Sequence, residues 1–213
     1  MKVAAVVPAY NEAKTVGSIV RALKEARYVD EVIVVSDGST DDTADEAKLA
    51  GADMVRINKS SLGKAQAMDK GVRETDAHII LFVDADLVGF TAAHADMLVA
   101  PVKNKKAHMC IGLRDRSWLY RRIGHKLPLI SGERAIRREV FTRLKHSLKK
   151  GFMIEVAMNF HCRKYRLAVT TAAMEGVSMV KKFEKINAAQ AAWSYIKMDL
   201  QILWAYISIP FRI

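Results

Sequence analysis

Ile79-Ile80-Leu81-Phe82-Val83-Asp84-Ala85-Asp86 is the stretch that decides how the chain is read, because five apolar residues run unbroken into two carboxylates. A continuous apolar run of this length, ending at polar turn residues, suits a strand buried on both faces of a parallel sheet. In an extended segment residues i and i+2 project to the same side, so Asp84 and Asp86 can reach one cation or its bound waters. The bland alternative is a pair of carboxylates capping a helix that begins near Thr91, and an isolated Asp-x-Asp deserves that reading. Its place at a strand end, with other polar strand ends nearby, favours a site instead.

Outward from this stretch the same grammar repeats. Val3 to Val7 is an apolar run ending at Pro8, and Val16, Ile19, Val20, Leu23 and Ala26 then recur at helical spacing. Val32 to Val35 is a second buried strand, closed by Ser36-Asp37-Gly38-Ser39. Thr40 or Asp41 is expected to cap the next helix, with Ala44, Ala47 and Ala50 inward and Gly51 stopping it. Met54 to Ile57 is a third strand, and Gly63 opens a loop into a helix from about Ala65 to Arg73. Such alternation predicts an α/β chain with a mostly parallel central sheet flanked by helices.

In such sheets ligands lie at the carboxyl ends of the strands. Three such ends are Pro8-Ala9-Tyr10-Asn11-Glu12, Ser36 to Ser39, and Asp84 to Asp86. Burying so many carboxylates together without a counter-ion is costly, and a hard divalent cation with a nucleotide relieves the cost. Mg²⁺ or Mn²⁺ is favoured over Zn²⁺, since no Cys/His cluster accompanies the oxygens. Asp37 can accept hydrogen bonds from a base or ribose, or form a simple Asx turn; Lys64 can meet a phosphate, or water. Neither a GxxxxGK[ST] loop nor a GxGxxG turn is present, which disfavours a P-loop NTPase and a dehydrogenase.

The 213 residues suit one compact domain. Lys plus Arg outnumber Asp plus Glu by 34 to 23, a net charge of +11, with most of the surplus after residue 100. That field attracts phosphates. No nucleic-acid motif accompanies it and no aromatics are interleaved, so nucleic acid is not expected as a partner. Cys110 and Cys162 sit in apolar stretches and are expected as free buried thiols. Met1-Lys2 runs directly into a strand with no leader pattern, which suggests a cytosolic protein.

Val-Val-Pro-Ala-Tyr-Asn-Glu (6–12), Val-Ser-Asp-Gly-Ser-Thr-Asp-Asp-Thr (35–43), Gly-Lys-Ala-Gln-Ala-Met (63–68) and Val-Asp-Ala-Asp-Leu (83–87) together resemble family 2 glycosyltransferases of the GT-A fold. Ile-Gly-Leu-Arg (111–114), Ser-Gly-Glu-Arg-Ala (131–135) and Gly-Phe-Met-Ile-Glu-Val (151–156) continue the similarity. The resemblance implies a nucleotide-sugar donor, UDP- or GDP-linked, held by Pro8, Ala9, Tyr10, Glu12, Asp37, Lys64, Asp84, Ala85 and Asp86. Asp86 and Asp84 would serve the metal. Ser131, Gly132 and Glu133, with Arg114, would hold the acceptor, since Ser131 to Arg134 resembles the acceptor loop of polyprenyl-phosphate sugar transferases and glucosyl-3-phosphoglycerate synthases. The acceptor would then be polyprenyl phosphate or a small phosphorylated acid. Glu155 is the candidate for orienting the sugar, and Arg134 for stabilising the leaving group. One departure matters: relatives often supply a metal-binding histidine near where Val177-Ser178-Met179-Val180 stands, and none occurs here.

The expected domain is 1–185, followed by a C-terminal amphipathic helix over 186–213 with Trp193, Ile196, Leu200, Leu203, Trp204, Ile207 and Phe211 at helical spacing. That helix either packs on the domain or lies at the cytosolic face of a membrane. The rivals to a glycosyltransferase are a sugar-phosphate nucleotidyltransferase, which should show a glycine- and base-rich loop after the first strand, and a non-catalytic nucleotide-sugar-binding scaffold.

Overall fold

In the computed structural model, residues 1–114, 131–149 and 153–179 are described. Strand β1 (Val3–Ala9) leads to helix α1 (Val16–Glu25), followed by β2 (Glu31–Asp37), α2 (Thr43–Leu49), β3 (Met54–Asn58) and α3 (Lys64–Arg73). Then come β4 (Ile79–Phe82), β5 (Leu87–Val88), α4 (Ala92–Lys103), β6 (Met109–Arg114) and β7 (Arg134–Arg137). A short helix α5 (Arg138–Thr142), the helix α6 (Met153–Lys164), β8 (Val169–Met174) and β9 (Ser178–Met179) complete the described chain. The expected terminal helix at 186–213 lies outside the described residues, and so does its proposed contact with a membrane. Among the described residues no helix is long and apolar enough to cross a membrane.

Seven strands form the main sheet in the order β3-β2-β1-β4-β7-β6-β8. Every neighbouring pair is parallel except the two that involve β7. The apolar runs are unbroken because both faces are covered. Val3, Ala5 and Val7 of β1 pack with Ile19 and Leu23 of α1 and Leu98 of α4. Ala4 and Val6 turn the other way, into a second core with Met68 of α3, Phe141 of α5 and Ile154 of α6.

Two differences from the sequence reading have a local reason. Pro8 does not end β1, which continues to Ala9. The Val6 carbonyl accepts from Val83 on the β4 side, and Pro8 faces that side one alternation later, where β4 has already stopped pairing. The missing N–H therefore costs no ladder bond. In α2 the capping position falls to Asp42, not Thr40 or Asp41. Asp41 instead accepts from the Thr43 amide at 3.1 Å and from the Ala13 amide at 3.1 Å, tying the loop after β2 to the loop after β1. The N-cap of α4 is Thr91, whose amide donates to Nδ1 of His94 at 3.1 Å. The carboxylates of Asp84 and Asp86 are thus not needed to cap it.

The antiparallel strand has the largest consequence. Arg134 stands opposite Phe82 in β4 and Ile111 in β6, so β7 begins at the edge where β4 and β6 end. The loop 131–133 is thereby delivered beside Asp84. The pair β5–β9 matches Leu87 with Met179, which brings the segment searched for a histidine directly beside the residue after Asp86.

Gly71 of α3 lies against the sheet, where a Cβ would overlap Val6 and come within 3.3 Å of Val35. Gly71→Ala is expected to lower stability by about 1–3 kcal/mol through overpacking, read as an earlier urea midpoint. An unchanged midpoint would show that α3 is not seated this closely on β1 and β2.

Candidate active site

At the carboxyl edge of β1 and β2 the loops are stitched together before any ligand is considered. The Asn11 amide donates to Ser39 Oγ at 3.1 Å, the Thr40 amide to Asn11 Oδ1 at 2.8 Å, and the Glu12 amide to Thr43 Oγ1 at 2.8 Å. Asn11 adopts a left-handed backbone, φ 54°, a conformation asparagine tolerates better than most residues. Ala9 is buried at the end of β1, whereas Tyr10 is 53% exposed on the loop.

Asp37 is buried, and its carboxylate is fully engaged. It accepts from Asn58 Nδ2 at 2.7 Å, Ser61 Oγ at 3.0 Å, the Leu62 amide at 3.0 Å and the Gly63 amide at 2.7 Å. Burial opposes its ionisation, but the amides of Leu62 and Gly63 with Asn58 and Ser61 outweigh burial and hold the carboxyl below the usual carboxylate range. Asp37 therefore orders the loop that introduces α3. Asn58 and Ser61 were missed in the sequence because β3 was ended at Ile57; the register that pairs Asp37 with Asn58 could have flagged the first of them.

Lys64, the first residue of α3, joins the two halves of the site. Its Nζ lies 2.7 Å from Asp84 Oδ1 and 2.9 Å from Glu155 Oε1. Burial disfavours the charge on Lys64, yet the carboxylates of Asp84 and Glu155 more than compensate and hold the ammonium above the usual lysine range. Glu155 is buried in the first turn of α6 rather than lying on the helix surface.

Among the described residues no cation lies within ion-pair distance of Asp86. Burial, then Asp84 and Glu12, push its carboxyl up to about 6, against partial relief from Lys64 and Arg114. A divalent cation would remove that penalty. Asp84 and Asp86 offer oxygen ligands of the type hard cations take, with the remaining positions left for donor phosphates and water. Among the described residues no group of three His, Cys, Asp or Glu side chains is placed to hold a metal. His161 lies on α6 against Tyr165, ring centroids 4.6 Å apart, and is not part of this edge.

The acceptor-side loop is packed directly on the Asp-x-Asp motif. A Cβ at Gly132 would overlap the Asp84 carboxylate, so only glycine permits this approach. Ser131 Oγ donates to Glu133 Oε2 at 2.5 Å, and Arg114 Nε lies 3.6 Å from the same oxygen. Burial, then Asp84, push the Glu133 carboxyl up, opposed by Arg114, Ser131 and Lys64. Among the described residues, Glu133 Oε1 and Arg114 Nη1 are buried with no hydrogen-bond partner, leaving one acceptor and one donor at the acceptor side. Arg134 is fully buried, and its guanidinium donates to the Ser131 carbonyl, the Glu155 carbonyl and Asn159 rather than to the groups of this edge. Asn159 too was missed, since only the helix α6 brings it to Arg134. Pro8 and Ala85 contribute backbone at the strand ends.

Residues 4–165 match the model of the family described as Glycosyl transferase family 2. The chain is 35% identical over 128 residues to a glucosyl-3-phosphoglycerate synthase of Mycolicibacterium smegmatis, covering 56% of this chain and 41% of that one. It is 36% identical over 86 residues to a 4,4'-diaponeurosporenoate glycosyltransferase of Staphylococcus aureus, covering 38% and 23%. The chain thus spans less than half the length of these curated relatives. Among solved structures it is similar to glucosyl-3-phosphoglycerate synthase of Mycobacterium tuberculosis in complex with Mn²⁺, uridine diphosphate and glucosyl-3-phosphoglycerate, with a TM-score of 0.71 and 25% identity. That alignment covers 84% of this chain and 72% of the other.

The raised Asp86 carboxyl gives a signed expectation. A folded-state value of about 6 against an ordinary 3.8 means the native protein loses stability as pH rises from about 4 to about 6. Asp86→Asn should therefore melt a few degrees higher than the unsubstituted protein at pH 7.5 without metal, and the gain should vanish at pH 4. A variant that melts lower at pH 7.5 would contradict the repulsion assigned to this carboxylate.

Proposed function

Because the chain belongs to glycosyltransferase family 2 and has the GT-A fold, we propose that it transfers a sugar from a UDP-sugar to a small phosphorylated acid of the phosphoglycerate type. The observation that carries this reading is the Lys64 ammonium seated between Asp84 and Glu155, with the buried Asp86 carboxylate nearby only partly relieved of its charge. Such a cluster suits a diphosphate, a divalent cation and sugar hydroxyls together. The M. tuberculosis synthase was solved with Mn²⁺ and uridine diphosphate, and also with Mg²⁺ and uridine diphosphate, which favours uridine over guanosine and either metal. We place the reaction in the cytosol.

On this reading the loops after β1 and β2 form the nucleoside end, ordered through Asn11, Asp37 and Thr43. Asp84 and Asp86 would hold Mn²⁺ or Mg²⁺, which when bound supplies positive charge against the diphosphate leaving group. Lys64 adds a second positive charge at the donor, already oriented by two carboxylates. Glu155, fixed at the start of α6, accepts hydrogen bonds from the sugar hydroxyls and sets the anomeric carbon toward the acceptor. Arg114, whose Nη1 is buried without a partner among the described residues, and the loop Ser131-Gly132-Glu133 receive the acceptor on the opposite side of Asp84. Its anionic group pairs with Arg114, and its hydroxyl oxygen bonds to the anomeric carbon as the bond from that carbon to the diphosphate breaks, the hydroxyl proton passing to the departing diphosphate.

A lipid-phosphate acceptor such as polyprenyl phosphate shares the phosphate chemistry, but nothing among the described residues favours the lipid part. Against a nucleotidyltransferase, the loop Pro8 to Glu12 is acidic and stitched to the next loop rather than rich in glycine and basic residues. A scaffold would bind a donor without turning it over.

Thermal unfolding with Mn²⁺ should show stabilisation by UDP-glucose exceeding that by GDP-glucose, and the protein should release uridine diphosphate when 3-phosphoglycerate is added. Asp86→Asn and Lys64→Ala should fold yet lose turnover by roughly a hundredfold or more. Stabilisation without turnover in the unsubstituted protein would support the scaffold, and no response to any nucleotide sugar would remove the reading altogether.

A further inference from the structure

Arg134 is fully buried, and among the described residues no carboxylate lies within ion-pair distance of its guanidinium. Nε and Nη2 both donate to the Ser131 carbonyl, at 3.1 and 2.5 Å. Nη1 donates to Asn159 Oδ1 at 3.2 Å and to the Glu155 carbonyl at 3.4 Å. Burial pulls its proton affinity below the usual arginine range, against the pull of Glu155 and Glu133. Desolvating a cation against neutral partners is expensive, and a packed apolar side chain would often be the more stable choice. The expense is consistent with a positional task.

The two carbonyls that Arg134 holds belong to the two segments that meet at the reaction centre. Ser131 begins the loop whose next residue, Gly132, lies flat against the Asp84 carboxylate, and whose third, Glu133, pairs with Arg114. Glu155 lies in the first turn of α6 and sends its carboxylate to Lys64. Ser131 and Glu155 are far apart in the chain, and the rigid guanidinium fork spans their carbonyls with a geometry that a lysine cannot reproduce. We propose that Arg134 is a positioning residue that registers the acceptor-side loop against the glutamate facing the donor sugar. It acts through Ser131 and Glu155 and touches no substrate. This inference rests on the donor and acceptor reading given above.

The test compares the unsubstituted protein with Arg134→Lys and with the milder Asn159→Ala, which removes one partner and leaves the guanidinium in place. Thermal shifts with Mn²⁺ and UDP report the nucleotide end, and steady-state transfer from UDP-glucose to 3-phosphoglycerate reports the register. The UDP shift and the KM for UDP-glucose should hold in both variants. Meanwhile kcat should fall by roughly ten- to a hundredfold in Arg134→Lys, as expected for misplaced reacting groups, and less in Asn159→Ala. Full kcat in a folded Arg134→Lys protein overturns the proposal, as does a loss of UDP binding in step with kcat. Should Arg134→Lys fail to fold, unchanged kcat in Asn159→Ala overturns it alone. An unsubstituted protein that neither responds to UDP nor turns over UDP-glucose defeats the donor reading first, and this inference with it.

Discussion

The ammonium of Lys64 between the carboxylates of Asp84 and Glu155 is the contact on which the site is organised. It joins α3, the end of β4 and the start of α6, three elements that approach one another only at the carboxyl edge of the sheet. Without a cation there, two largely buried carboxylates would face each other across a poorly solvated gap. Asp37 prepares this contact from the far side. By collecting the amides of Leu62 and Gly63 it shapes the loop from which α3, and so Lys64, starts.

Charge balance then explains why the site is ready for a ligand. Lys64 compensates Asp84 and Glu155, and Arg114 stands 3.6 Å from Glu133. Asp86 is buried beside Asp84 and Glu12, and burial first, then these like charges, raise its carboxyl against partial relief from Lys64 and Arg114. A fold tuned for stability alone would not gather these groups. A divalent cation and a phosphate-bearing donor, the ligands proposed above, would relieve their cost.

Most of the parallel half was legible in the sequence, because each strand is buried on both faces and so appears as an unbroken apolar run. Val3 to Val7, Val32 to Val35 and Ile79 to Val83 needed no tertiary context, and neither did the polar residues that follow them. Boundaries were less legible where a single hydrogen bond decides them. Pro8 stays in β1 only because β4 has already ended, and β3 reaches Asn58 because its backbone register with β2 extends to Asp37. Arg134 read as a candidate for chemistry because it follows Ser131-Gly132-Glu133; its burial beneath that loop has no signature in a run of letters.

By itself the sequence determined the α/β architecture, the three polar strand ends and the oxygen-rich Asp84-Ala85-Asp86 pair, since local periodicity and residue chemistry are properties of short segments. Only the tertiary structure decided that Lys64, Asp84 and Glu155 share one ion-pair cluster and that Gly132 abuts Asp84. It also decided that Arg134 turns inward to carbonyls. These depend on β7 running against its neighbours, so that the residues before it arrive at the edge where β4 and β6 end. Strand direction is set by how the whole sheet closes its hydrogen bonds and its two cores, and no window of sequence contains that information.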